Sequence, residues 1–164
     1  MNRRGEPENK KIIFIGMRVI KTIIAVHICF LIGMIRKSLP FYSAIAAILC
    51  MQNDQTNSLK VGLNRMKGTL IGGLYGFLAI MLIKYINIEL YSYIHYLILS
   101  LFLIPIIYTN VHLQSSSSTY ISCVVFLSIT VSHGADVSPL LFAVNRVVET
   151  LIGIVVSIGI NVIM

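Results

Sequence analysis

The sequence predicts an all-α integral membrane protein, a bundle of six transmembrane helices, on three observations. Of the 164 residues, 57% are apolar and 12% charged, where an ordinary soluble domain has about 50% and about 25%. The mean hydropathy is +0.87. A soluble domain of this length has too little interior to hide so much apolar surface, so lipid must cover it. The apolar residues also fall into runs of helix length with short polar breaks, leaving outside the membrane only a basic tail over residues 1–11.

The first span can begin near Ile12 and runs from Val19 to Ile35, ending at Arg36-Lys37-Ser38. With its optional first turn it reaches the roughly 20 residues a crossing needs at about 1.5 Å each. A basic start before an apolar run also describes a secretory signal, but the small-residue cleavage site is poor and further apolar segments follow, so the helix reads as retained. The second run, Leu39 to Met51, opens at Pro40, where a missing backbone donor is harmless. It is short, and crosses by extending to Thr56 (39–56), sits in thinned bilayer, or is re-entrant. A polar connector from Asn53 to Asn64 leads to a third span, Met66 to Ile86, whose Lys67 and Lys84 can snorkel to the interfaces.

The 46 residues between Glu89 and Asp136 contain no Lys, Arg, Asp or Glu. They suffice for two spans, 91–108 and 117–132, broken between Tyr108 and Ser118. Tyr91, Tyr93, Tyr96 and Tyr108 near the proposed ends are interfacial in type, and Pro105 is placed to kink the fourth helix. The turn at His133 to Pro139 precedes a last span over 147–164, and no soluble C-terminal domain is expected.

The net charge of +7 raises nucleic acid as a partner, yet six of the 13 Lys and Arg residues lie in the first 21 positions. The rest lack the aromatic interleaving of a strand-binding surface. With the N-terminus inside, nine of the 13 (Arg3, Arg4, Lys10, Lys11, Arg18, Lys21, Lys60, Arg65, Lys67) fall on the inner side, against Arg36, Lys37, Lys84 and Arg146. That predicts a multi-pass plasma-membrane protein with both termini cytoplasmic. Cys29, Cys50 and Cys123 are isolated inside apolar runs, and His27, His95, His112 and His133 show no ligand spacing, so neither a metal nor another cofactor is expected. No paired carboxylates or nucleophile with a base emerge, which argues against an enzyme.

Three segments open alike: Arg18-Val19-Ile20-Lys21-Thr22, Arg65-Met66-Lys67-Gly68-Thr69 and Arg146-Val147-Val148-Glu149-Thr150. From the third residue after each Arg, every fourth position reads Lys21, Ala25, Cys29, Gly33; then Gly68, Gly72, Gly76; then Glu149, Gly153, Ser157, Asn161. Small residues at this spacing let another backbone approach closely, so these faces should point into the bundle. The two halves can be read as inverted three-helix repeats, or the likeness reflects only how common Gly and basic residues are at helix starts and contacts.

An Arg at a helix N-terminus opposes the macrodipole. Snorkelling explains Arg18 and Arg65 as anchors; an internal polar cluster would instead let Arg65 and Arg146 face an anionic ligand, with Glu149 pairing with Lys21, Lys67 or Arg146. Asn53 and Asp54, after the short second run, are either connector residues or the unwound end of a broken helix lining an entrance. The candidate path residues are therefore Arg65, Arg146, Lys21, Thr69, Thr150, Asn161, Glu149, Asn53 and Asp54. Gly33, Gly68, Gly72, Gly76, Gly153 and Ser157 are the expected packing positions.

The stretches Gly16 to Thr22, Pro40 to Ile48, Met51-Gln52, Gly62 to Gly73 and Asn145 to Gly153 through Asn161 together resemble the membrane domain of the aromatic acid exporter family. That family sits in the group similar to fusaric acid resistance proteins, and the likeness is to its small Gram-positive bacterial members. The resemblance implies a six-helix unit of the bacterial plasma membrane, efflux of aromatic carboxylic acids, and self-association as a homodimer or other homo-oligomer. More distantly the group is similar to aluminium-activated plant anion channels, in which basic residues line an anion path. Many members carry a cytoplasmic domain after the membrane part, which this sequence does not show. Two functions stay open: a transporter of small organic anions, with Arg65, Arg146 and Lys21 supplying field and Thr69, Thr150 and Asn161 hydrogen bonds; or a non-transporting assembly subunit acting through its small-residue faces.

Overall fold

The computed structural model describes residues 16–52, 54–90, 92–132 and 139–163. The basic tail, the start of the first span before Gly16, Asn53, Tyr91, the His133 to Ser138 turn and Met164 lie outside the described residues. The rest is helical: α1 Met17–Arg36, α2 Phe41–Cys50, α3 Gln55–Ile86, α4 Tyr93–His112, α5 Ser116–Leu127 continued by a π-helical segment Ser128–Ser132, and α6 Pro139–Ile163. Four of these, α1, α3, α4 and Leu141–Ile163 of α6, are long and apolar enough to cross a bilayer; Phe41–Cys50 and Ser116–Ser132 are shorter apolar helices. The described chain is an all-α bundle with several membrane-length helices: of the six expected spans four are long helices, while the second, expected to be short, and the fifth are short ones.

Local chemistry sets the ends. α1, α3 and α4 close in the same way, on a residue of positive φ: Lys37 (52°), Asn87 (56°) and Gln114 (50°). In each case the following amide reaches back five residues, Ser38 to Gly33 O (3.1 Å), Ile88 to Ile83 O (3.2 Å) and Ser115 to Asn110 O (3.0 Å), which satisfies carbonyls the helix leaves open. At the start of α4 the Ser92 hydroxyl accepts the His95 amide at 3.2 Å, a helix cap.

Two helices begin earlier than their hydropathy indicates. α3 starts at Gln55 rather than near Met66, so the expected polar connector is mostly helix. In its first turns only Ser58, Gly62 and Arg65 are buried; they share one face at helical spacing, but that face is small and polar and gives no apolar signal. α6 likewise starts at Pro139 instead of Val147. Arg65 and Arg146 consequently lie well inside helices, and the conflict with the macrodipole expected of an N-terminal Arg does not arise; Arg18 alone sits in a first turn.

The helix directions follow from the contacts. α3 and α6 are antiparallel, with Gly62 against Ile154 and Ile158 and Ser58 against Asn161. α2 runs parallel to α6, Gly153 meeting Ser43 and Ala46, and α5 runs parallel to α3, Gly72 meeting Ser122 and Val125. α1 packs on α2 and α6, and α4 on α5 and α3. Small apolar cores fill the junctions, one of Ala25, Cys29, Ala47, Met51 and Ile160, another of Ala79, Ile83, Leu99, Ile106 and Phe126. Large apolar side chains such as Ile23, Met34, Leu74, Ile104 and Val155 stay exposed, the surface lipid covers.

Candidate functional site

A ten-residue helix is about 15 Å long, half the hydrocarbon depth of about 30 Å. α2 is therefore too short to reach both faces of a bilayer, and open backbone groups at a helix end kept from water need partners. At its C-terminal end Arg18 Nε donates to Met51 O (3.0 Å). Asn161 Nδ2 donates to Gln52 O (3.2 Å) and to Ser58 Oγ (2.9 Å), and Lys21 Nζ donates to Asn161 Oδ1 (3.2 Å). Gln55 Nε2 adds a bond to Asn161 O (3.3 Å). These side chains partner one another and the backbone. Asp54 is exposed beside them and accepts a bond from the Thr56 hydroxyl.

The N-terminal end of α2 is different. Its N-cap residue, Pro40, supplies no side-chain cap, and beside it opens a cavity of about 470 Å³ lined by residues that include Lys37, Ser38, Tyr42, Asn145, Arg146 and Glu149. The Glu149 carboxyl has the Tyr42 backbone, Arg36, Ser38 and Arg146 as its electrostatic neighbours. A second cavity of about 300 Å³, between α2 and α5, is lined by Tyr42, Arg65, Tyr120, Ser128 and Arg146 among others. Tyr42 and Arg146 form the wall common to both: the Arg146 guanidinium carbon lies 3.3 Å from the centroid of the Tyr42 ring, and the Tyr42 hydroxyl is 3.3 Å from Ser128 Oγ.

The charged groups here are buried. Arg65 is 9% exposed, Arg146 and Glu149 6% each, so all three side chains are covered by the chain itself. Arg65 Nε, Arg146 Nε and Nη1, Glu149 Oε2 and Ser38 Oγ are buried without a hydrogen-bond partner among the described residues. A buried polar group without a partner is costly, so this cluster stands out from the satisfied polar groups elsewhere, such as Asn110, whose side chain bonds Ser118 and Ser122.

The candidates from sequence thus divide. Arg65, Arg146 and Glu149 meet at the cavities, whereas Lys21, Asn161 and Asp54 stand at the other end of α2; Asn53 is outside the described residues. Thr69 and Thr150 donate to the carbonyls of Arg65 (2.9 Å) and Arg146 (2.8 Å) one turn back, as Thr22 does to Arg18 (2.8 Å), so their protons are committed to their own helices. A Cβ at Gly72 would overlap the Ser122 carbonyl, and one at Gly153 the Ser43 carbonyl. Gly33 closes on Pro40 (2.6 Å to Cβ), Gly68 on Ile121 and the Ser118 carbonyl (2.8 Å each) and Gly76 on Ile129 (3.3 Å); Ser157 donates to Ile154 O (3.0 Å) in its own helix. Sequence reasoning missed Tyr42, Ser38 and Lys37 as site residues; the signal for them was the shortness of the run after Pro40. Among the described residues no group of His, Cys, Asp and Glu is placed to hold a metal.

An all-helical membrane bundle whose interior carries buried, unpartnered basic groups beside cavities has the make-up of a transport protein. The sequence model of aromatic acid exporter family member 1 matches residues 13–164, and the chain belongs to that family. It is a membrane transport or efflux protein, multi-pass in the plasma membrane. No curated protein and no solved structure matches it.

Proposed function

We propose that the protein passes small organic anions, aromatic carboxylates among them, along a path that joins the two cavities through the Tyr42–Arg146 wall. The observation that carries this reading is the pair Arg65 and Arg146: each buried, on antiparallel helices, lining one cavity, and holding guanidinium N–H groups that nothing in the described chain accepts. Positive side chains and the N-terminus of a half-length helix are the means by which a helix bundle attracts an anion. The apolar lining residues, such as Phe41, Ile45, Leu49 and Val124, suit an aromatic body behind the charged group.

In this reading all six helices cross, α2 and α5 as short elements, and both termini are cytoplasmic. The two halves are inverted repeats. Their support is the matched packing of α2 on α6 and α5 on α3, where Gly153 and Gly72 follow their arginines by the same interval and meet Ser43 with Ala46 and Ser122 with Val125. The assembly-subunit alternative would use Gly faces for contact with a partner; Gly72 and Gly153 meet the chain's own helices, while Gly73 and Gly159 have open space beside them.

The test is flux of a radiolabelled aromatic carboxylate such as benzoate into proteoliposomes. Arg65→Gln and Arg146→Gln proteins that remain monodisperse should each lose flux by at least about tenfold, the effect of removing a charge-assisted bond. Undiminished flux through folded Arg65→Gln and Arg146→Gln proteins would end the proposal.

A further inference from the structure

The cluster of buried charges is lopsided. Each arginine begins the same Arg-x-x-x-Thr segment, but three residues on stands Gly68 in α3 and Glu149 in α6. Among the described residues, Glu149 is the carboxylate carried deep in a helix of crossing length, because Asp54 and Glu89 lie at helix ends in exposed positions. An ionisable group at such a depth is costly without a task or a partner. Its surroundings are those an exogenous anion would choose: the Tyr42 backbone in the first turn of α2, the Arg146 guanidinium, and Arg36 with Lys37 at the end of α1. Yet Glu149 Oε2 and two Arg146 nitrogens are buried without hydrogen-bond partners among the described residues, and both residues line the cavity of about 470 Å³.

The geometry points to Glu149 as a tethered anion that occupies the positive end of α2 when no substrate is bound and takes up a proton when one is. This rests on the anion path proposed above and extends it by a second ligand, the proton. With Glu149 ionised, an incoming carboxylate meets a like charge at the Arg146 site. With Glu149 protonated, that charge is gone, the acid can turn to donate a hydrogen bond, and Arg146, Lys37 and the first amides of α2 are left for the substrate. Binding of anion and proton are then linked, each strengthening the other by the same factor. The other groups facing Glu149 are Arg36 and Lys37 from the end of α1, Ser38, Tyr42 from α2, and Arg146 with Arg65 across the wall, and no second carboxylate stands among these described residues. The linkage therefore has one sign: anion affinity rises as pH falls.

The experiment is calorimetric titration of the full chain in lipid nanodiscs with benzenesulfonate, an aromatic anion whose own charge is constant between about pH 5 and about pH 8, the interval over which the carboxyl is read. Repeating it in buffers of different ionisation enthalpy counts the protons taken up. The wild-type protein should bind about tenfold tighter at the acid end and take up a proton from the buffer as it does so. Glu149→Gln should bind with the acid-end affinity at every pH and take up none, while Glu149→Asp should keep the slope. Proton uptake by Glu149→Gln equal to wild type, or wild-type binding without proton uptake, overturns this inference alone. The second of these is read on the wild-type protein and stands even if the variants fail to fold. Absence of benzenesulfonate binding by the wild-type protein overturns the anion path and this inference together.

Discussion

The guanidinium carbon of Arg146 lies 3.3 Å from the centroid of the Tyr42 ring, and the two side chains together divide one cavity from the next. At the guanidinium edge Nε and Nη1 are buried and find no hydrogen-bond acceptor among the described residues. A cation held by its face and unaccepted at its edge is positioned without being neutralised, which is the condition for offering charge to an anion.

Tyr42 should therefore tolerate loss of its hydroxyl better than loss of its ring. Tyr42→Phe keeps the stack and gives up the contact to Ser128 Oγ, costing no more than about 1.5 kcal/mol. Tyr42→Ala removes a desolvated cation–π contact worth about 2 kcal/mol and merges the cavities. Thermal unfolding in detergent should rank wild type, Tyr42→Phe and Tyr42→Ala in that order, and benzoate flux should rise or lose selectivity in Tyr42→Ala. Equal melting temperatures for the phenylalanine and alanine variants would show that the stack does not hold Arg146.

The long helices were legible because lipid exposure leaves a broad apolar signal, as at Ile23, Phe30, Leu74 and Ile104. The first turns of α3 were not, because Ser58 and Gly62 bury a face that has packing value and no hydropathy. The arginines can be picked out of the sequence as unusual, but their depth cannot: with Arg65 at a helix start a headgroup anchor and an internal cluster both stay open, and the structure buries it in mid-helix. Lys21 and Asn161 were grouped with the arginines on shared spacing alone. The short α2 separates them, because its two ends gather different partners, Asn161 at one and Glu149 at the other. For Tyr42 the shortness of the run after Pro40 was the one signal, since only the fold brings it under Arg146.

Glycine substitutions should split by neighbour rather than by sequence. Gly72 and Gly153 have carbonyl oxygens, of Ser122 and Ser43, where a methyl group would go, so alanine at either should destabilise the bundle by about 1–3 kcal/mol through overpacking. Gly73, with no heavy atom within 4 Å of its would-be Cβ, should gain up to about 1 kcal/mol from the better helix propensity of alanine. Opposite signs in thermal unfolding for Gly72→Ala and Gly73→Ala, neighbours in one helix, are the expected result. Loss of an oligomer from Gly72→Ala with no loss of stability would instead place that face at a subunit contact.

The polar cluster at the C-terminal end of α2 makes a separate prediction, because Asn161 there serves four partners. Its side chain accepts from Lys21 and donates to Gln52 O and Ser58 Oγ, and its carbonyl accepts from Gln55. Asn161→Ala keeps the backbone bond and strips the other three, leaving the Gln52 carbonyl short of a partner; buried groups treated in this way cost about 1–3 kcal/mol. The effect should be local, since the larger cavity lies at the opposite end of α2. Hydrogen exchange should speed up at Gln52, whose amide bonds Ser58 Oγ (3.1 Å), and at Ser58, whose amide bonds Asp54 O (3.0 Å). Amides around Gly153 should keep wild-type protection. Unchanged exchange at Gln52 and Ser58 in the alanine variant would mean that Arg18, through Met51 O, holds the end of the short helix without Asn161.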